Sequence, residues 1–310
     1  SRFRLSATVE RWPVAGAFVI ARGAKTYVDV LVVAIHEGGV TGRGEATPIY
    51  YFGETTDTCL AQIDALPDRF VRAELQSLLP AGAARNAVDC ALWDLEAQQA
   101  GKSIAALAGL PEPQPLITAM TVSIGDPVAM EAEARRLAAL TPLIKIKLSG
   151  DGDIERLAAV RRGAPDARLV VDANESWTGR DIAAEAATLL PFNLELIEQP
   201  VKNGEDHLLD GVACPIPLGA DESCHDRGDL PRLVGRYQAI NVKLDKAGGL
   251  TEALALKADA QAMGFRVMVG CMLSTSLGIA PAFLAAQGVD WADLDGALLL
   301  SKDRPERLIL

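Results

Sequence analysis

Aromatic residues are scarce in this chain of 310 residues, at 5% against 49% for hydrophobic residues as a whole. The core must therefore be built from aliphatic side chains and alanine. Cysteine is rare too: Cys59, Cys90, Cys214, Cys224 and Cys271 are odd in number, widely spaced and without a CxxC pair. That pattern fits neither a disulfide framework nor a zinc site, and reduced thiols in a cytoplasmic protein are expected. Positive charge falls short of negative, with 30 Lys and Arg against 41 Asp and Glu and a formal net charge of -11. Such a chain would repel phosphates, so no nucleic-acid partner is expected. No apolar run approaches the roughly 18 residues that span a bilayer, and the opening SRFRLSATVERW has no apolar core of signal-peptide length. No membrane partner is expected, and a homo-oligomer stays open.

What the chain does contain changes character along its length. Residues 27–35, YVDVLVVAI, are β-rich and precede His36-Glu37-Gly38-Gly39 and then VTGRGEA, which predicts a hairpin. Helical stretches follow, clearest in AARNAVDCALWDLEAQQAGKSIAALAG, which ends on Gly109 before the proline-rich PEPQP. Strands first and helices after them suggest a separate α+β domain that ends near residue 112. Beyond it, short strands alternate with helices. Strands are expected near 116–122, 143–148, 168–172, 194–198, 216–221, 239–244, 266–270 and 291–295, with helices between them. Asp126-Pro127 is an N-cap with proline at N1, Thr178 with Asp181 forms a capping-box pattern, and Gly264 sits as a helix C-terminal glycine. Eight parallel strands with crossover helices close most naturally into a (β/α) barrel. A doubly wound open sheet is the rival, but TVSIGDP is a poor match to the glycine-rich loop it would carry.

Charged residues close five consecutive strands of this pattern: Lys147 in KIKL, Asp172 in LVVDAN, Glu198 in LELIEQP, Asp221 in LGADES and Lys243 in INVKL. They lie roughly 22 to 26 residues apart, the length of one strand, one helix and two loops. Charges at the ends of buried strands are costly unless they meet at one site. In an eight-stranded barrel the second and sixth strands are opposite, so Lys147 and Lys243 would face each other with three carboxylates between them. Three convergent carboxylates, without histidine or cysteine, call for a hard cation and point to Mg2+. Alternation along a strand puts Lys145 with Lys147, Asn241 with Lys243, and Asp293 with Asp295. Two close ammonium groups near a cation lower each other's pKa, so Lys145 is expected to tune Lys147 as a base. Bases on opposite faces of one carbon suit inversion of a stereocentre. Asp293 and Asp295 have a competing reading as a capped turn after the last strand, and Cys271 is expected to be a small core side chain.

With these residues in place, the chain resembles the enolase superfamily, in particular the muconate-lactonizing-enzyme subgroup and within it the dipeptide epimerases. The resemblance runs nearly end to end, through FVIARG and GRGEATP, then KIK, DAN, EQP, ADES and NVKL-KAGG, to DLDGALLL. It implies a modified TIM barrel of (β/α)7β type over 113–295, an N-terminal α+β capping domain over 1–112 with a closing loop near 16–25, and a segment 296–310 packing back on the cap. It implies Lys147 and Lys243 as the acid/base pair, Lys145 as pKa tuner and substrate-carboxylate contact, and Asp172, Glu198 and Asp221 as Mg2+ ligands. The DxD of Asp293 and Asp295 would receive a dipeptide's α-ammonium group, and Arg22 its side-chain carboxylate. Dipeptides of the L-Ala-D/L-Glu kind are the implied substrates. Ser274 stands where many relatives carry an acidic residue. The competing functions are o-succinylbenzoate synthesis, N-acylamino-acid racemisation and muconate cycloisomerisation at the same site, or a non-catalytic metal-stabilised scaffold, which would need neither lysine.

Overall fold

The computed structural model describes residues 3–309. Ser1, Arg2 and Leu310, the outermost residues of the expected cap and C-terminal segment, lie outside the described residues. The chain opens with an antiparallel sheet of β1 (Arg4–Ile20), β2 (Gly23–Glu37) and β3 (Val40–Ala46), in that order. The expected hairpin is the β2–β3 pair, turned by Gly38 and Gly39, both at positive φ. β1 was not expected. Its alternating apolar residues are spread over 17 positions and interrupted by Pro13 and Gly16, which hides the period of two. The expected closing loop near 16–25 is the tip of the β1–β2 hairpin, turning at Ala21-Arg22.

Leu31, Val33 and Ile35 of β2 share a core with the helix Ala83–Ala100. The two glycines of VTGRGEA permit that packing, because a Cβ on Gly42 or Gly44 would run into the carbonyls of Ala91 or Ala87. The long helical stretch breaks at Gly101, which adopts the left-handed conformation, and Ser103 caps a second helix, Ile104–Leu107.

Among the described residues, eight parallel strands follow in sequential order: β4 (Met120–Val122), β5 (Leu143–Lys147), β6 (Arg168–Asp172), β7 (Leu194–Glu198), β8 (Leu218–Ala220), β9 (Ala239–Val242), β10 (Arg266–Gly270) and β11 (Trp291–Asp293). Thr118 bridges to Ala292 and the Ala119 N–H donates to the Ala292 carbonyl at 2.7 Å, which brings the first strand onto the last. Sequential order with this contact is a barrel and excludes the doubly wound sheet. Side chains of alternate residues fill its interior in layers. The lowest is apolar, with Leu143, Val170, Leu196, Ala239, Met268 and Trp291. Two residues further along each of those strands the inward side chain is polar or absent: Lys145, Asp172, Glu198, Asn241, Gly270 and Asp293.

Two local expectations fail for identifiable reasons. The link from β7 to β8 contains only a 3-10 turn, Asp206–Leu209, because Pro200, Gly204, Gly211, Pro215 and Pro217 break any helix there. The helix Ile182–Thr188 is capped by Asp181, whose side chain accepts from the Ala184 N–H. Thr178 instead donates to the Glu175 carbonyl and accepts from the Lys202 N–H. Asp126 caps Pro127–Ala138, and Gly264 follows Leu250–Ala262 at positive φ. No α-helix follows β11 among the described residues; the chain crosses to the cap, where Val14 bridges to Leu300. Among the described residues no helix is long and apolar enough to cross a membrane.

Candidate active site

The cavity at the C-terminal ends of the barrel strands is roofed by the β1–β2 hairpin, and Phe18, Ile20, Arg22 and Lys25 line it from above. Strand register sets its floor. Lys147 pairs with Asp172 and Asp172 with Glu198, so these three residues are neighbours across adjacent strands. One carboxylate oxygen each from Asp172, Glu198 and Asp221 lie within 4.8 Å of one another, and all three residues are buried. Lys147 Nζ is 2.7 Å from Asp172 Oδ2, and Lys243 Nζ is 2.6 Å from Asp221 Oδ2. Lys145 Nζ lies among Glu198 Oε2 at 2.6 Å, Asp293 Oδ2 at 2.8 Å and Asp172 Oδ2 at 3.3 Å.

β5 and β9 are four strands apart in an eight-stranded closed order, so Lys147 and Lys243 enter from opposite sides. The structure thus brings together Lys145, Lys147, Asp172, Glu198, Asp221, Lys243, Asp293 and Asp295 around one space. Gly270 makes room for it, since a Cβ there would stand 2.7 Å from Asn241 Oδ1. Asn241 in turn donates to Glu198 Oε1 at 2.7 Å.

The electrostatics follow from burying so many carboxylates together. Burial, with the charge of Asp172 added, pushes Glu198 up to about 8 despite Lys145. Burial would also raise Asp172, but Lys147 and Lys145 outweigh it and hold that carboxyl below its ordinary value. Asp221 is held low in the same way, by Lys243 and Lys246. Lys145 stands among three of these carboxylates. Burial pulls it down, but Asp293, Glu198 and Asp172 surround the ammonium and carry it well above its ordinary value. The same contest raises Lys243, chiefly through Asp221. Burial and the charge of Asp293 push Asp295 up to about 7, and its Oδ2 accepts the Thr121 N–H at 2.7 Å. Asp293 Oδ1 accepts no hydrogen bond among the described residues. Burial pushes the Cys271 thiol well above its ordinary value, so it is no nucleophile at neutral pH.

Several participants were not singled out from sequence. Lys246 is fully buried and donates to Asp221 Oδ1 at 2.7 Å and to the Asn241 carbonyl at 2.9 Å. Gln199, at φ 38°, accepts the N–H groups of Asp221 and Ser223 on Oε1 and so ties the loop after β8 to the end of β7. A non-glycine residue in that region costs about 1–3 kcal/mol, which these bonds offset. Glu222 is buried beside Asp221 and takes Arg22 Nη1 at 2.6 Å. Arg22 also reaches Glu175 at 3.4 Å and Tyr50 Oη at 3.2 Å, so the cation expected to face a substrate carboxylate is committed to the barrel rim. A buried Glu following Asp221 in ADES, and a Lys three residues after Lys243 in KLDK, were the available signals.

The residues matched by known families cover both parts of the chain. Residues 129–295 match the enolase C-terminal domain-like family, and residues 3–109 the N-terminal domain of mandelate racemase and muconate lactonizing enzyme. The chain belongs to the enolase superfamily. Within that superfamily it is 46% identical to the L-Ala-D/L-Glu epimerase of Escherichia coli K12, over 95% of this chain and 93% of that one. It is also 46% identical to the N-acetyl-D-glutamate racemase of a Pseudoalteromonas species, over 89% of each. Among solved structures, an enolase family member from Agrobacterium tumefaciens with bound sodium and L-Ala-L-Glu is 49% identical, with a TM-score of 0.95, covering 99% of this chain and 95% of that one. A dipeptide epimerase from Enterococcus faecalis V583, complexed with Mg and L-Leu-L-Tyr, is 32% identical with a TM-score of 0.90, covering 98% and 93%.

Proposed function

We propose that this enolase-superfamily chain is an Mg2+-dependent dipeptide epimerase that inverts the α-carbon of the C-terminal residue, with L-Ala-D/L-Glu as its substrate pair. The observation that carries this reading is the single cavity in which Lys147 and Lys243 come from opposite strands with Asp172, Glu198 and Asp221 between them. A neutral lysine on one face takes the α-proton at Nζ, and the ammonium on the other face returns one. The donor set fits a hard divalent cation: three buried carboxylates converge, and Glu198 Oε2 accepts no aligned hydrogen bond among the described residues. Asp172, Glu198 and Asp221 would hold Mg2+, which would supply positive charge at a substrate carboxylate beside the carbon that loses its proton. Lys145 and Lys147 stand two residues apart on β5 and line the same cavity. Incubating a dipeptide library with the protein and Mg2+ in D2O tests the whole reading by mass. Deuterium in Ala-Glu supports it, and no deuterium in any dipeptide overturns it.

Asp293 and Asp295 carry the substrate class. Two buried carboxylates crowd one another, and Lys145 reaches only one of them, which suits an arriving α-ammonium group. A charge-assisted hydrogen bond there contributes on the order of 2 kcal/mol, so N-acetyl-L-Ala-L-Glu is expected to react with kcat/KM at least about tenfold below that of the free dipeptide. Asp295→Asn should cost the free dipeptide a similar factor and the acetylated one far less. Racemisation of an N-acylated amino acid is the second reading, favoured by the 46% identity to the N-acetyl-D-glutamate racemase. Equal rates for blocked and free substrates would favour it.

Because Arg22 is taken by Glu222, the side-chain carboxylate is better assigned to Lys25. That ammonium lines the cavity half-buried, 4.0 Å from the centroid of the Tyr50 ring, and makes no salt bridge among the described residues. Burial and the Arg22 charge lower its pKa, the signature of a cation lacking its anion. Lys25→Ala is expected to lower kcat/KM for L-Ala-L-Glu about tenfold and to leave L-Ala-L-Leu within about twofold. Steady-state kinetics with both dipeptides checks this, and equal losses on both would return the assignment to Arg22.

A further inference from the structure

The hairpin that roofs the cavity is not continuous with the sheet that bears it. Pairing of β1 with β2 runs from Arg4↔His36 to Pro13↔Tyr27, breaks, and resumes at Phe18↔Lys25. Val14 to Ala17 thus stand opposite Thr26 alone, with Gly16 at φ 74° in the middle. Beyond the break only Phe18↔Lys25, Val19↔Ala24 and Ile20↔Gly23 pair, and a two-stranded ribbon that short is not stable by itself. Arg22 on Glu222, and the Ile124 N–H on the Val19 carbonyl at 3.2 Å, touch its tip. They do not support its base.

The base is supported by the other end of the chain. Val14 bridges to Leu300 in antiparallel sense, the Ala15 N–H donates to the Leu299 carbonyl at 2.8 Å, and the Ser301 N–H donates to the Pro13 carbonyl at 2.9 Å. Val14 and Leu300 are buried in a small cluster with Val28, Val30 and Leu273, against which Phe18 and Leu299 pack. Arg304 then fastens this segment at three points. Its Nη2 donates to Glu45 Oε2 at 2.7 Å on β3 and to Glu10 Oε2 at 2.8 Å on β1, and its Nε donates to Thr275 Oγ1 at 2.7 Å in the loop after β10. Glu45 is fully buried and also accepts the Thr275 N–H at 2.7 Å. The next residue along, Ser276, donates to Asp303 through both N–H and hydroxyl.

We propose that Leu299–Ser301, clamped by Arg304, is the positioning element of the hairpin over the cavity: it takes the place of β2 as the partner of Val14 and Ala15, where the β1–β2 pairing breaks, and sets where Phe18 and Lys25 stand. The inference rests on the proposed reading only for its kinetic arm. Arg304 does not line the cavity and is a positioning residue.

Hydrogen exchange of the full chain, read by peptide mass, tests it without any substrate. In Arg304→Ala, amides of Val14–Lys25 are expected to exchange at least about tenfold faster than in the parent, while β2–β3 and barrel peptides keep the parent rates. Arg304→Lys should recover part of the protection. Because loss of Arg304 strands a buried carboxylate and risks misfolding, Ser301→Pro provides a second route. It removes the N–H and the hydroxyl that both donate to the Pro13 carbonyl, and it leaves the residues of the Glu45–Arg304 pair unchanged. In kinetics, either variant should raise KM for L-Ala-L-Glu and erode the preference over L-Ala-L-Leu with kcat within about twofold of the parent. Unchanged exchange at Val14–Lys25 in a folded Ser301→Pro protein, or equal loosening of every cap peptide in Arg304→Ala, would overturn the proposal. If no dipeptide reacts at all, the exchange result still decides the structural claim.

Discussion

Glu198→Gln is expected to lower turnover by at least about a thousandfold, with the fold intact. The substitution keeps shape and volume, so the barrel loses no packing. It removes one of three carboxyl groups that converge within 4.8 Å, and leaves Lys145, 2.6 Å from the old carboxyl group, against an amide. A cation site of two carboxylates binds more weakly, and the charge needed at the substrate carboxylate goes with it. Thermal melts give a readout apart from activity. The parent's Tm should climb as Mg2+ is added, because binding to the native state alone stabilises it, and the variant's Tm should stay flat over the same range. Full activity of the parent in excess EDTA would refute the metal assignment.

Removing either of the two lysines proposed as bases should be comparably severe but asymmetric. Lys147→Ala and Lys243→Ala are each expected to slow interconversion of the two epimers by about two to four orders of magnitude. Each variant should still exchange the α-proton of one epimer with D2O, because the surviving lysine serves its own face. The two variants should retain opposite epimers, since β5 and β9 face each other across the barrel. Asp221 should tolerate the loss of Lys243, because Lys246 continues to hold its Oδ1 at 2.7 Å. Proton NMR in D2O, following each epimer separately, distinguishes exchange from inversion. Parent-like epimerisation by either single variant would rule out a two-base mechanism.

The barrel was legible because its signal repeats. Each parallel strand, buried on both faces, reads as a short apolar run, and the five charges closing consecutive runs have few explanations other than a common end. Cap and connections were less legible because they lack such repetition. β1 is long, half-exposed and interrupted, so its pattern carries no clean period. In the link before β8, proline and glycine override the helix that the repeat anticipates.

Strand order and alternation along each strand are properties of sequence, and they determined which residues meet: Lys145, Lys147, Asp172, Glu198, Asp221, Lys243, Asp293 and Asp295. What those residues do to one another was decided by tertiary structure alone, because charge interactions depend on distances and burial that no spacing encodes. Lys145 illustrates this. Alternation along β5 pairs it with Lys147, but only the fold shows that three carboxylates from β6, β7 and β11 surround it and raise its pKa. Arg22 illustrates it again, since Glu222 is 200 positions away in sequence and 2.6 Å away in space. Contacts between the hairpin, the barrel rim and the last residues of the chain have no local pattern to betray them, and folding alone brings them together.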